Sequence, residues 1–463
     1  MSYDTTLLRH ELQKLCFNHL QENEDLAKTE PAVLDTVFCE LREALAAAMQ
    51  SMDEKLLLDK PLGWRVKDKR SRTLFTEFGK VTYSRRIYID EFGMRRTSLD
   101  EILDIRKGRR LSANAFSVLS RFASDIPYAR SAELFCRHAH DLLSANAVMD
   151  TLRELGDLLK ERDEERRFHL FDEGVAPQAQ EEVKEICVEA DGIWIHLQKE
   201  PARNVEIKAF CAYAGKEEGN RKGVVHHACV GAPNVFSEQA VAKMASKYAL
   251  EKLDTVHLGT DGGAWCKTLS DYIKGPRIVH HLDPWHVNRL IEEAFPLKTT
   301  RNRVFDYLHA GDVGGLIGYL KEKSQQHTKT QDKVRKLLTY IRHNKGSIAK
   351  DGPSLGTMEG TNAHVYAARM KVWGGGWSRK GASDMARVRS TIASGEELPM
   401  PKTEIVFARQ EQRRRDALRS ARETKMSYTI VEADGKGYEP MRVSVSHLGH
   451  AIQYAANVDG WLN

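Results

Sequence analysis

The sequence predicts an α/β fold for its larger half, preceded by helical and β-hairpin regions, and two observations carry this. First, residues 184–296 open with three strand-like segments, KEICVEADGIWIHLQ, VEIKAFCAYAG and GVVHHACVGA, with the turn KEEGNRKG joining the second to the third. Second, these are followed by a helix, SEQAVAKMASKYALEKL with Ser237 in the cap position, a strand, TVHLGTD, a helix around AWCKTLSDYI, and a strand, RIVHHLD. Three hairpin-like strands, then helix-strand-helix-strand, is the order of a ribonuclease-H-like domain. That domain is expected over residues 181–399, with a charged helical insertion at about 288–352.

The flanking regions read in order. Residues 1–60 are helical, with Val33, Val37, Leu41 and Leu45 on one stripe. Residues 61–110 switch to a two-residue period, and RSRTLFTEFGKVTYSRRIYIDEFG looks like two strands around Phe78-Gly79-Lys80. Residues 111–180 return to helix. Ser112 and Ser144 sit in cap positions, Pro127 breaks the run, and helix, short turn, Ser-capped helix is a helix-turn-helix layout leading into a polar linker. Residues 400–463 form a basic tail with a charged helix and a hairpin-like end.

Composition narrows the function classes. The chain has 463 residues, 29% charged and 41% hydrophobic, which is a soluble globular balance. No apolar run approaches the roughly 18 residues of a membrane span, and no secretion signal opens the chain. Seven scattered cysteines without a CxxC pair fit reduced thiols in a cytoplasmic protein. The net charge of +5 is uneven, because residues 60–110 carry 15 Lys+Arg against 7 Asp+Glu. A second basic stretch runs from Ala408 to Lys425. Two such blocks point toward nucleic acid, the alternative being solvated faces. Arg85, Arg86, Arg95 and Arg96 on the hairpin are candidate DNA contacts. The other reading is an edge hairpin protected by charge.

Three acidic residues suit metal-dependent phosphodiester chemistry. Asp191 in VEADGIWIHLQ and Asp261 in HLGTDGGAWCK each close an apolar run, and Glu359 in GTMEGTNAH opens a helix-like stretch. Carboxylates at strand ends and a helix start can meet at one sheet edge and hold two Mg²⁺ (or Mn²⁺) ions about 4 Å apart. Gly262 and Gly263 leave room beside Asp261. In Asp283-Pro-Trp-His286, His286 can position a phosphate or water, or Asp283 can be a cap and His286 a packed residue. His280 and His281 read as packing. His226, His227 and Cys229 fall on a strand where only 227 and 229 share a face, which argues against zinc. In the loop from Trp373 to Lys380, Trp377 can stack on a base and Arg379 and Lys380 can meet phosphate, the alternative being a tight turn with a buried tryptophan. Arg369, ten residues beyond Glu359, is placed to reach DNA.

These segments together resemble a known family. KVTYSRRIYID, EADGIWIHLQ, EIKAFCAYAGK, TDGGAWCK, HLDPWHVNRLI and EGTNAHVYAARMKVWGGGWSRKGASDMARVR are similar to the ISLre-type bacterial insertion-sequence transposases, a DDE group related to Mutator-type transposases. TMEG departs from the family pattern, where a serine more often precedes the glutamate motif. The resemblance implies a ribonuclease-H-like catalytic domain, a Mg²⁺-dependent triad of Asp191, Asp261 and Glu359, and cleavage and joining of the element's own DNA ends. It also implies an acidic-x-x-His element near the active site, here Asp283 to His286. The expected partners are the terminal inverted repeats, target DNA and further copies of the chain assembled on DNA, with no membrane. The expected place is the cytoplasm, on the nucleoid when DNA is bound. Two alternatives stay open: a non-catalytic DNA-binding protein derived from a transposase, and a structure-selective nuclease on the same fold.

Overall fold

The structure, a computed structural model, describes residues 5–401 except 24, 138–141, 262, 327–328, 349–351, 354 and 373–374. The basic stretch 408–425 and the rest of the tail lie outside the described residues. The chain forms two compact units, one taking Met1–Leu41, Phe75–Lys80 and Ala113–Met400, the other Arg42–Leu74 and Val81–Ser112.

Helices α1 (Thr6–Asn23) and α2 (Leu26–Leu58) come first. The expected hairpin follows as β1 (Arg65–Thr76) and β2 (Gly79–Ile89), with a short β3 (Arg95–Arg96) and helix α3 (Ser98–Ile102). In the smaller unit Leu45, Met49, Met52 and Leu56 of α2 pack on Leu74, Val81, Tyr83 and Leu99. Of the expected stripe Val33, Val37, Leu41 and Leu45, Leu45 joins this core and Leu41 is exposed. Two buried acids tie the unit together. Asp100 Oδ2 accepts from Arg72 (2.6 Å) and Arg85 (2.7 Å), and Asp53 Oδ2 accepts from Arg86 (2.6 Å). Arg85 and Arg86, expected on DNA, are thus spent inside the fold.

In the larger unit α4 (Ala113–Asp125), α5 (Tyr128–Phe135) and α6 (Ala145–Arg167) precede the sheet. Ser144 caps α6 as expected, accepting from Ala147 N at 3.1 Å. The strands are β4 (Glu185–His196), β5 (Asn204–Tyr213), β6 (Lys216–Glu217), β7 (Asn220–Arg221), β8 (Val225–Cys229), β9 (Thr255–Thr260) and β10 (Arg277–Leu282). Five of them form one sheet in the order β10-β9-β4-β5-β8, while β6 and β7 pair as a ribbon. β5 is antiparallel to β4 and β8, and β4, β9 and β10 are parallel. The crossover after β8 carries α7 (Pro233–Ala245), and the one after β9 carries α8 (Ala264–Thr268). Pro233 opens α7 behind Ala232, so Ser237 is not the cap but a buried residue inside the helix.

β4 divides its side chains between two layers, as a strand must. Ile186, Val188 and Ala190 join Phe210, Val256 and Leu258 in the core against Phe236, Ala240 and Met244 of α7. Glu189 and Asp191 point the other way. After β10 the chain runs through α9 (Pro284–Ala294), α10 (Lys298–His309), α11 (Val313–Gln325) and α12 (Gln331–His343). These four helices have a core of their own, with Ile291, Val304, Leu316, Leu320, Leu337 and Ile341 at its centre, as an insertion requires. Then come α13 (Met358–Thr361), a wider turn over Asn362–Ala367, α14 (Ala368–Met370) and α15 (Arg379–Ala393). α15 packs on β8 and on α6, and α6 packs on α4, α5 and α7. The helix-turn-helix segment therefore spends its apolar face, including Val148, Leu152, Leu155 and Leu159, on the body of the larger unit. No helix among the described residues is long and apolar enough to cross a membrane.

Candidate metal centre

The parallel register sets the site. β4 pairs with β9 up to Ala190 opposite Thr260, and each strand continues with an aspartate, Asp191 and Asp261. The sequence placed Asp191 at a strand end. The strand runs on to His196 because β5 keeps pairing with it, from Ala209 opposite Asp191 to Asn204 opposite His196. Asp191 is nonetheless where β9 stops, and the two carboxylates meet there.

His286 completes the cluster. Asp283 caps α9, its Oδ2 accepting from His286 N at 3.2 Å and meeting the imidazole Nδ1 at 2.6 Å. That holds the ring on the first turn of α9. Ligand atoms of Asp191, Asp261 and His286 all lie within 4.8 Å of one another. Asp261 is further fixed by the Gly263 N–H (2.7 Å) and by Tyr340 of α12, whose hydroxyl donates to the Asp261 carbonyl at 2.8 Å. A Cβ on Gly263 would sit 2.9 Å from Asp261 Oδ1, so a side chain there would push the Asp261 carboxylate aside.

The third element arrives through Glu189, which the sequence reading did not single out. Its carboxylate, 2% exposed, accepts from Gly356 N (2.8 Å), Thr357 N (2.7 Å), Thr357 Oγ1 (2.7 Å) and Met358 N (3.2 Å), and from the Tyr213 hydroxyl (2.7 Å). An anion at these amides fixes the start of α13 on the sheet. One turn later Asn362 donates to Asp191 Oδ2 at 2.8 Å. Glu359 lies on α13 between these two anchors, exposed, and is not one of the three residues of the cluster. The signal for Glu189 was the pair of acids at i and i+2 in VEAD, on one face of a buried strand.

The electrostatics favour a cation. Burial pushes the Asp191 carboxyl up to about 6, against the pull of the Gly192 N–H and His286, while Asp261 and Asp283 push it the same way as burial. His286 is raised above the ordinary imidazole range, first by its hydrogen bond to Asp283. Asn362 Oδ1 is buried without a hydrogen-bond partner. Two carboxylates and an imidazole whose Nδ1 is anchored by Asp283 are a donor set that fits a divalent ion.

Other expected residues fall elsewhere. Trp377 is 7% exposed and bridges to Leu197, with its indole N–H donating to Met370 O at 3.0 Å, so it is not free to stack on a base. Arg369 is buried between the Tyr128 and Trp377 rings, 5.2 Å from each centroid, and cannot reach DNA. Arg379 and Lys380 are exposed on the first turn of α15 and face Glu200 and Asp157/Asp384. Arg95 and Arg96 are exposed, with Arg96 against Glu101 and over Trp64. His226, His227 and Cys229 are buried in β8, and the described residues hold no metal-ligand cluster there. His281 packs against His257, their ring nitrogens 3.0 Å apart.

With this geometry in place, comparison with known proteins gives the chain's relationships. UPF0236 protein TTE2489 of Caldanaerobacter subterraneus subsp. tengcongensis is 26% identical over 372 residues, covering 77% of this chain and 76% of that protein. A second UPF0236 protein of the same strain, whose name joins eleven designations from TTE0033 to TTE2212, is 26% identical over 373 residues, covering 77% and 75%. The family described as "Uncharacterised protein family (UPF0236)" matches residues 20–406, which include the whole cluster. The chain belongs to the UPF0236 family.

Proposed function

We propose that this chain is a DDE-type transposase of a bacterial insertion sequence, binding the element's ends and cutting and joining DNA strands with Mg²⁺ or Mn²⁺. The observation that carries the reading is the meeting of Asp191 and Asp261 where parallel β4 and β9 stop pairing. The sheet order, with β5 antiparallel beside three parallel strands, supports a ribonuclease-H-like domain. So does the helix that follows the insertion and is pinned to β4 by Glu189. One relative's name joins eleven designations in a single strain and another's joins four, as expected where a gene has multiplied within a genome.

Asp191 and Asp261 would hold the metal, and Glu359 on α13 is the third carboxylate of the reading. Bound divalent ions would supply activation of water or a 3′-hydroxyl and charge at the leaving oxygen. His286, steadied by Asp283, faces the same space. Exposed Arg95, Arg96, Arg379 and Lys380 are the described cations of the reading that remain placed to meet DNA phosphates, and copies of the chain would assemble on the two ends.

The test uses the full chain with labelled DNA from the flanks of its own gene, in Mg²⁺, Mn²⁺ or Ca²⁺. End-specific cleavage and joining in Mg²⁺ or Mn²⁺ is expected, with binding alone in Ca²⁺. Asp261→Asn should bind ends normally and, at saturating DNA, cleave none, because the neutral amide cannot offset metal charge. Binding without cleavage by the wild type would make the chain a non-catalytic DNA-binding protein. Cleavage governed by DNA structure rather than end sequence would make it a nuclease.

A further inference from the structure

We propose that His286 is itself a ligand of the metal held by Asp191 and Asp261, oriented by Asp283, and that the site consequently prefers Mn²⁺ to Mg²⁺. The inference rests on the reading of this cluster as a metal centre, and deepens it by naming the third donor.

Geometry carries it. The ligand atoms of His286, Asp191 and Asp261 already lie within 4.8 Å of one another, close enough for one ion to touch all three. The imidazole does not wander into this position. Asp283 Oδ2 holds its Nδ1 at 2.6 Å and the backbone N–H of the same residue at 3.2 Å. A carboxylate on one ring nitrogen fixes the tautomer and leaves the other nitrogen unprotonated, which is the usual arrangement of metal-bound histidines. Asp283 is fixed in turn, because it caps α9 and its N–H donates to Thr260 O at 2.9 Å, tying it to the end of the strand that leads to Asp261. Asn362 Nδ2 donates to Asp191 Oδ2 at 2.8 Å and holds that carboxylate in the cluster. Within the cluster the protein donors are two oxygen and one nitrogen.

The donor set decides the metal. Magnesium favours oxygen donors and gives up its waters reluctantly, whereas imidazole suits the transition ions. One nitrogen among carboxylates therefore favours Mn²⁺.

Pulsed electron paramagnetic resonance of Mn²⁺ bound to the tag-free full chain reads the ligand directly, since a coordinated imidazole gives ¹⁴N modulation. The wild type should show it. His286→Gln, which keeps a polar side chain but loses the imidazole, should lose it while Mn²⁺ affinity by calorimetry falls about tenfold or more. Mg²⁺ affinity should fall less. Asp283→Asn keeps a good helix cap and should weaken Mn²⁺ by roughly tenfold through loss of orientation. Mn²⁺ that binds the wild type without ¹⁴N modulation, or with modulation that His286→Gln retains, overturns the proposal. In that case end cleavage that is lost in Asp261→Asn still upholds the transposase reading. Absence of Mn²⁺ and Mg²⁺ binding in the wild type overturns both.

Discussion

At the scale of single residues, Glu189 decides whether the site has a third side. Three amides and a threonine hydroxyl converge on one buried carboxylate, and only a negative acceptor satisfies them all. Glu189→Gln replaces one acceptor oxygen with a donor facing donors. It should cost about 3 kcal/mol or more in urea unfolding and speed hydrogen exchange of the amides at 356–358. Unchanged exchange there would remove Glu189 from the placement of α13. Arg86 is the complementary lesson. Its RR setting on a basic hairpin reads as DNA contact, yet Asp53, 1% exposed and 33 residues earlier, takes it. Sequence shows that a cation is present but not which distant acid will claim it. Arg86→Ala should destabilise the smaller unit by about 3 kcal/mol and leave the salt slope of DNA binding unchanged, because the cost is an unpaired buried acid. A flattened slope with unchanged stability would return Arg86 to the interface. Trp377 follows the same logic, since a loop of glycines and tryptophan looks available until Met370 O and Arg369 are seen to occupy it.

At the scale of elements, periodicity made much legible. The strands of the sheet, the insertion's helices and the helix start near Glu359 all come from patterns within one element. What periodicity could not give is register. Asp191 meets Asp261 because Ala190 lies opposite Thr260, and no local pattern specifies that pairing. The same holds for the helix-turn-helix layout, where the spacing is right but α6 is consumed by packing against α7 and α15. The insertion illustrates how an element far along the chain touches the site. Its helix α12 packs through Val334, Leu337, Leu338 and Ile341, and from the same helix Tyr340 reaches the Asp261 carbonyl. Leu337 is fully buried at the centre of that core. Leu337→Ala should cost about 2–5 kcal/mol. Hydrogen exchange should show protection lost over 284–343 while β4 and β5 stay protected, because the insertion's core is separate from that of the sheet. Uniform loss across both would mean the two cores unfold as one.

At the scale of the whole molecule, buried titratable groups of opposite sign set how stability answers to pH. His226 and His227 are buried in β8, and burial holds both imidazoles down to about 3. The unfolded chain takes up a proton on each near pH 6.5 while the native chain does not, so each contributes stability above that pH that is lost as pH falls. Half-buried His281 is lowered too and adds in the same direction. Asp191 acts the opposite way. Its native carboxyl, raised to about 6, binds a proton that the unfolded chain does not bind until near pH 4, so it stabilises as pH falls through 6. Between pH 6 and 5 two buried histidines, with His281 acting in the same direction, oppose one buried aspartate. The net is about one proton or more taken up on unfolding, so stability should drop by at least about 1.4 kcal/mol per pH unit. Asp191→Asn removes the opposing proton, and the slope should steepen by about 1 kcal/mol per pH unit. Urea unfolding at pH 6.0, 5.5 and 5.0 with a chelator present measures both slopes, since a bound ion would keep Asp191 ionised. A wild-type stability that is flat or rises as pH falls through this window would mean that His226 and His227 are protonated in the native chain. An unchanged slope in Asp191→Asn would mean that Asp191 is already charged there, poised for a cation without having to release a proton first.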